Sequence, residues 1–212
     1  MLSARQFHPW EGGDGLVSRQ YVTAHLLLGR ALVDQGQPAA ALAHFEAART
    51  YPRNLGEGKH LLTSEADLDY YSGLALARAG NGDQALGCWR KAAASPAGTD
   101  AAAYYRALAL HALGRTQESR EALQGLLHAA NRLMQEEAKL QYFATSLPNF
   151  LLFEDDLQKR QTVNCVYLTG LALLRLERPD DAAAAFRKTL ALDVNHLRAQ
   201  QELECMFSKP SM

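Results

Sequence analysis

The sequence has no excess of positive charge, no long apolar run and no paired cysteines, and each absence removes a class of function. Its 22 Lys and Arg stand against 23 Asp and Glu, a formal charge of -1. A chain so balanced has no surplus cations with which to displace counterions from phosphates, which excludes nucleic acid as the expected partner. No apolar run approaches the roughly 18–20 residues that span a bilayer. The start, Met1-Leu2-Ser3-Ala4-Arg5-Gln6, lacks the apolar stretch of a signal peptide. The expectation is a soluble, cytoplasmic chain with no membrane partner.

Cys88, Cys165 and Cys205 are odd in number and widely spaced, with no C-x-x-C pair to suggest zinc or redox work. The seven histidines are scattered and form no H-x-x-x-H or H-E-x-x-H pair. No metal and no cofactor are therefore expected. The runs Gly12-Gly13-Asp14-Gly15 and Gly56-Glu57-Gly58-Lys59 fit neither phosphate-loop pattern.

What the chain does have is alanine, which supplies much of its 48% hydrophobic share and favours closely packed helices. It also has a repeat. Tyr70-Tyr71-x-Gly73 matches Tyr104-Tyr105-x-Ala107, Gly80 matches Gly114, Ala85 matches Ser119 and Trp89 matches Leu123, each 34 residues on. The small residues stand where two antiparallel helices touch, and the glycines stand where the turn between them needs a left-handed residue. Gly29, Leu32, Gly36, Ala41 and Phe45 repeat this skeleton upstream, and Gly170, Leu173, Ala182 and Phe186 repeat it downstream.

A period of 34 with this skeleton resembles the tetratricopeptide repeat. The expected fold is all-α, a right-handed superhelix of about four such helix pairs with insertions. Repeats fall near 18–52, 65–98, 99–140 and 160–194, behind an N-terminal arm over 1–17 and before a capping helix at 196–207. Helices are expected at 18–35, 38–51, 65–79, 82–94, 100–113, 116–140, 160–176 and 179–192. Ser64-x-x-Asp67 has capping-box spacing.

Three segments lie outside the repeat: Arg5 to Gly15, Pro52 to His60, and Tyr142 to Phe150 with Glu154-Asp155-Asp156. Their stretches Phe7-His8-Pro9-Trp10-Glu11-Gly12-Gly13-x-Gly15, Asn54-Leu55-Gly56-Glu57-Gly58-Lys59 and Tyr142-Phe143-Ala144-Thr145-Ser146-Leu147-Pro148-Asn149 resemble the C-terminal part of a family of large bacterial proteins of unknown function. In that family a β-rich domain precedes tetratricopeptide repeats. The resemblance implies a fragment or a short relative lacking its upstream domains.

In tetratricopeptide repeats the first helix of each pair lines a concave groove. Transferring those positions gives Arg30, then Tyr70, Tyr71 and Arg78, then Tyr104, Tyr105 and His111, then Tyr167 and Arg175, an aromatic groove with scattered cations. Tyrosine offers contact area and a polar tip at little entropic cost. At least one tyrosine of each pair is expected to pack between helices instead. A second candidate site comprises Trp10, Glu11, Glu57, Lys59 and His60, expected to meet near Tyr70 and Tyr71. The competing reading has Phe7 and Trp10 plugging the open end of the stack. The leading function is a scaffold that binds a peptide, a partner protein or its own upstream domains, more a binder than an enzyme. The alternative is an accessory part of a carbohydrate-active site, built on carboxylates such as Glu57 and completed by the upstream domain.

Overall fold

The computed structural model describes residues 5–8, 15–60, 63–138 and 156–208. Within them the chain forms α1 (Leu16–Asp34), α2 (Pro38–Arg49), a 3-10 turn (Arg53–Leu55), α3 (Ala66–Arg78), α4 (Gly82–Ala93), α5 (Ala101–Ala112), α6 (Thr116–Gln135), α7 (Leu157–Arg175), α8 (Pro179–Leu192) and α9 (Leu197–Ser208). Consecutive helices pair as α1/α2, α3/α4, α5/α6 and α7/α8. The first members also touch one another along the stack, α1 on α3, α3 on α5 and α5 on α7. They form the inner layer of the superhelix.

Each pair closes on the contact that the repeat encodes. The Phe45 ring lies against Gly29, the Trp89 indole against Gly73 and the Phe186 ring against Gly170. In the third pair, where Ala107 replaces the glycine, Ser119 donates its hydroxyl to the Ala107 carbonyl at 2.7 Å. Phe45 and Phe186 are wholly buried.

The turns are equally regular. Gly36, Gly80 and Gly114 lie two residues past their helices at φ 72°, 81° and 77°. The amide after each reaches back five residues, as from Gln37 to the Leu32 carbonyl (2.8 Å) and from Asn81 to Leu76 (2.9 Å). In the fourth repeat Glu177 holds this place at φ 60°, a conformation that costs an L-residue roughly 1–2 kcal/mol. Glu177→Gly is expected to stabilise the protein by about 1 kcal/mol, raising Tm by about 2–4 °C. Calorimetry showing a lower Tm would contradict this account of the turn.

Several local expectations shift. Asp100 and Asp156 cap α5 and α7, accepting from the amides of Ala103 (3.0 Å) and Lys159 (2.8 Å). The Asp156 cap starts α7 at Leu157, three residues before the expected 160, and α6 ends at Gln135 rather than 140. The capping box at Ser64 and Asp67 does not form: Glu65 takes the N-cap position without a side-chain bond. Asp67 faces Arg198 of α9 at 3.6 Å instead. No helix among the described residues is long and apolar enough to cross a membrane.

Candidate functional site

The inner helices bring Tyr70, Tyr71, Tyr104 and Tyr105 into one aromatic cluster. Ring centroids lie 5.1 Å apart within each sequence pair, and Tyr105 sits 5.7 Å from Tyr71 and 6.0 Å from Tyr70. Tyr167 joins from α7, with His196 4.5 Å from its ring. The repeat register therefore gathers these tyrosines on the inner layer. Tyr71, Tyr104, Tyr105 and Tyr167 are buried, and Tyr70 is half-buried.

The concave face is not an open groove, because α9 lies in it. Glu202 meets Arg30 of α1 at 2.8 Å, Gln201 accepts from the same guanidinium at 3.4 Å, and Arg198 faces Asp67 of α3. Ala199 is fully enclosed, while Leu203 and Met206 pack on the core at the helix's inner side. The Arg30 guanidinium also stands 5.1 Å over the Tyr71 ring, a cation–π contact. Burial raises the hydroxyl pKa of Tyr71, Tyr104, Tyr105 and Tyr167 above the ordinary value, despite nearby guanidinium groups.

Part of the face stays accessible. A cavity of about 420 Å³ opens between α1, α3, α7 and the second half of α9, lined by Arg30, Tyr70, Tyr71, Leu74, Arg175 and Glu202 among others. Arg175 is exposed and donates to the Tyr104 hydroxyl at 3.2 Å. Arg78 is not among the lining residues but is bonded at the cavity's edge: it donates to the Val33 carbonyl and lies 3.5 Å from Asp34, tying the end of α3 to that of α1. His111 is exposed on the last turn of α5.

The second candidate site is assembled in part. Glu57, Lys59 and His60 line one cavity of about 680 Å³ with Tyr51, Asp67 and Arg198, while Trp10 and Glu11 lie outside the described residues. Tyr70 and Tyr71 line the other cavity, so the expected neighbourhood is not the one found. The arm does meet the insertion: the Phe7 amide donates to the Asn54 carbonyl at 2.7 Å, and Asn54 donates to the Arg5 carbonyl at 2.7 Å. The segment at 142–150 lies outside the described residues.

The carboxylates around this cavity are engaged structurally. Glu57 accepts from the Gly15 amide at 2.8 Å and from the Ser18 hydroxyl, fastening the insertion to the start of α1. Glu65 is paired with Arg49 at 2.6 Å and with Lys59. Among the described residues no group of three or more His, Cys, Asp or Glu side chains is arranged to hold a metal.

Two histidines carry a pH dependence. The His25 and His44 Nδ1 atoms lie 3.0 Å apart, and His25 is lowered from the ordinary 6.5 by burial and by His44. Burial likewise lowers His196 beside Tyr167. A lowered histidine favours the neutral form in the fold, so its contribution to stability is complete above pH 6.5 and is lost as pH falls from there through the lowered folded-state value. Tm is expected to fall between pH 7.5 and 5.5, with a smaller fall in the His25→Asn/His196→Asn variant. Equal pH profiles for the two proteins would contradict the assignment.

Sequence reasoning missed Asp67, Arg198 and Glu202 as members of the concave face. The signal lay in the spacing of Ala199, Glu202, Leu203 and Met206, one stripe along a helix.

Comparison with known proteins agrees with the repeat register. Two tetratricopeptide-repeat family models match the chain, one over residues 22–47 and one over 70–133 and 166–201. Among solved structures, the chain is similar to MamA (41-end) from Desulfovibrio magneticus RS-1, at 17% identity over 88% of this chain and 83% of that one, with a TM-score of 0.30. A MamA RS-1 ArsTM double mutant matches over the same shares at 18% identity and the same TM-score. Superposition that loose carries no argument, and the family rests on the repeats themselves. With its helix pairs, their small-to-aromatic contacts and family matches that together span more than half of its length, the chain belongs to the tetratricopeptide-repeat family.

Proposed function

We propose that this chain is a protein-interaction module that takes a peptide segment of a partner protein into the cavity lined by Tyr70, Tyr71, Arg30 and Arg175. The observation that carries the reading is that cavity. It is about 420 Å³, floored by aromatic rings and rimmed by a guanidinium, on the layer of helices that the repeats turn inward. Such a site suits a short segment bearing an apolar side chain for the tyrosines and an acceptor for Arg175. The partner class follows from the family, since tetratricopeptide repeats support interaction and scaffolding. The upstream domains that the sequence resemblance implies are the first partner to try.

The carbohydrate reading has less behind it. Glu57, Glu65 and Asp67 surround one cavity, but each is committed to holding helices or the insertion in place.

The test is selection of peptides from a displayed random library on the immobilised full chain, with binding then measured against Arg175→Ala and Tyr70→Ala. The reading expects at least a ten-fold loss with either variant. Selected peptides that bind both variants as tightly as the parent, or an empty selection, would overturn it.

A further inference from the structure

The seat of α9 specifies what else can sit there. We infer that α9 is a removable occupant of the concave face, and that the face takes in its place a partner's amphipathic helix carrying the same pattern: a cation, a small residue next to it, an acid one turn on, then two aliphatic positions. This deepens the interaction reading and rests on it.

The pattern is read from contacts. Arg198 and Glu202 are four residues apart, so they project from one side of the helix. Each finds an opposite charge on the inner layer, Arg198 at Asp67 of α3 and Glu202 at Arg30 of α1. Ala199 is fully enclosed where the helix comes nearest the wall, so a larger side chain would lift the helix off. Leu203 and Met206 complete the stripe. Two charges of opposite sign at fixed spacing set both the direction and the register of any helix in this seat, because reversal would bring like charges together.

α9 can leave its seat because little of its apolar surface is fully buried. Among its described side chains only Ala199 is wholly buried, while Leu197 and Phe207 are 51% and 67% exposed. Leu203 and Met206 add partly buried apolar contact, and the rest of the grip is polar, the Arg198–Asp67 and Glu202–Arg30 pairs, which water can replace. The helices beneath carry the repeat's own close-packed contacts and do not depend on α9 for them. Elements with few buried apolar contacts open locally before the rest. What α9 would uncover is the aromatic floor of Tyr71, Tyr105 and Tyr167, the kind of surface that anchors a helix in a groove.

The probe is a fluorescein-labelled peptide copying residues 196–208, titrated into the full chain and into its Glu202→Lys variant. In the variant the lysine faces Arg30 and weakens the resident helix. The variant is expected to bind the peptide at least ten-fold more tightly than the parent, and a peptide carrying the same lysine is expected to lose that binding. Equal affinity for the two proteins, or equal binding of the two peptides, would overturn the inference. So would a concentration-dependent dimer of the variant in light scattering, which would assign the seat to the α9 of a second copy.

The unaltered full chain supplies a measurement independent of any effect of Glu202→Lys on folding. Its α9 amides are expected to exchange with deuterium at least ten-fold faster than those of α7 and α8, and equal protection would sink the idea. If library-selected peptides still require Tyr70 and Arg175 while the α9 peptide never binds, this inference fails and the interaction module stands.

Discussion

Gly29→Ala and Gly170→Ala should each destabilise the protein by about 1–3 kcal/mol, whereas Gly73→Ala should cost less. A methyl at Gly29 would meet the Phe45 ring at 2.3 Å, and one at Gly170 would meet the Phe186 ring at 2.6 Å. Both rings are wholly enclosed, so neither can withdraw without moving a helix. The methyl at Gly73 meets the Trp89 indole at 2.5 Å, but that ring is only half-buried and has room to tilt. Its tilting would sacrifice the bond from the indole N–H to the Tyr70 carbonyl, 3.2 Å long. In a chain of this size the first two changes correspond to Tm losses of roughly 2–12 °C. Leucine at any of the three positions should be far worse. A ranking with Gly73 most sensitive would show that the rings, and so the repeat contacts, are differently packed.

Arg30→Leu is expected to release α9 rather than unfold the protein. The substitution leaves Glu202 facing an apolar wall without its cation, a situation that costs about 3–5 kcal/mol when the charge has no escape. Here it has one, since α9 can move into water and rehydrate the carboxylate. The cost to global stability is then capped by the free energy that docks α9. The expected signature is loss of the hydrogen-exchange protection of α9, with α1 to α8 still folded. Alkaline difference spectroscopy gives a second readout: Tyr71, Tyr105 and Tyr167, raised in the parent chiefly by burial, should titrate closer to the ordinary value of 10. Unchanged tyrosine titration in a folded Arg30→Leu protein would mean that α9 does not cover them.

These two results separate what the sequence displayed from what it withheld. The helix pairs were legible because their determinants are local: Gly29 and Phe45, or Gly170 and Phe186, are 16 residues apart, and a turn glycine sits between two helices. Such spacing survives as a period. The same register put the tyrosines on the inner layer. The position of α9 was not legible, because its contacts join Glu202 to Arg30 across 172 residues and nothing periodic records that pairing. A capping helix was expected on the end of the stack, and α9 does pack on α8, but its charged residues reach back to α1 and α3.

Asp67 shows how one distant partner overrides a local signal. Its spacing from Ser64 predicts a capping box, yet its carboxylate is turned to Arg198, and burial raises its pKa. Glu57 shows the converse. Its place in a Gly-rich insertion suggested a site residue, whereas its two oxygens are used by Gly15 and Ser18 to hold the first helix.

Whether α9 occupies the concave face is measured directly by long-range nuclear Overhauser effects. In the isotopically labelled full chain, contacts are predicted between the side chains of Arg30 and Glu202 and between the rings of Tyr167 and His196. A spectrum in which α9 shows contacts to α8 alone, with none from Glu202 to α1, would contradict this placement.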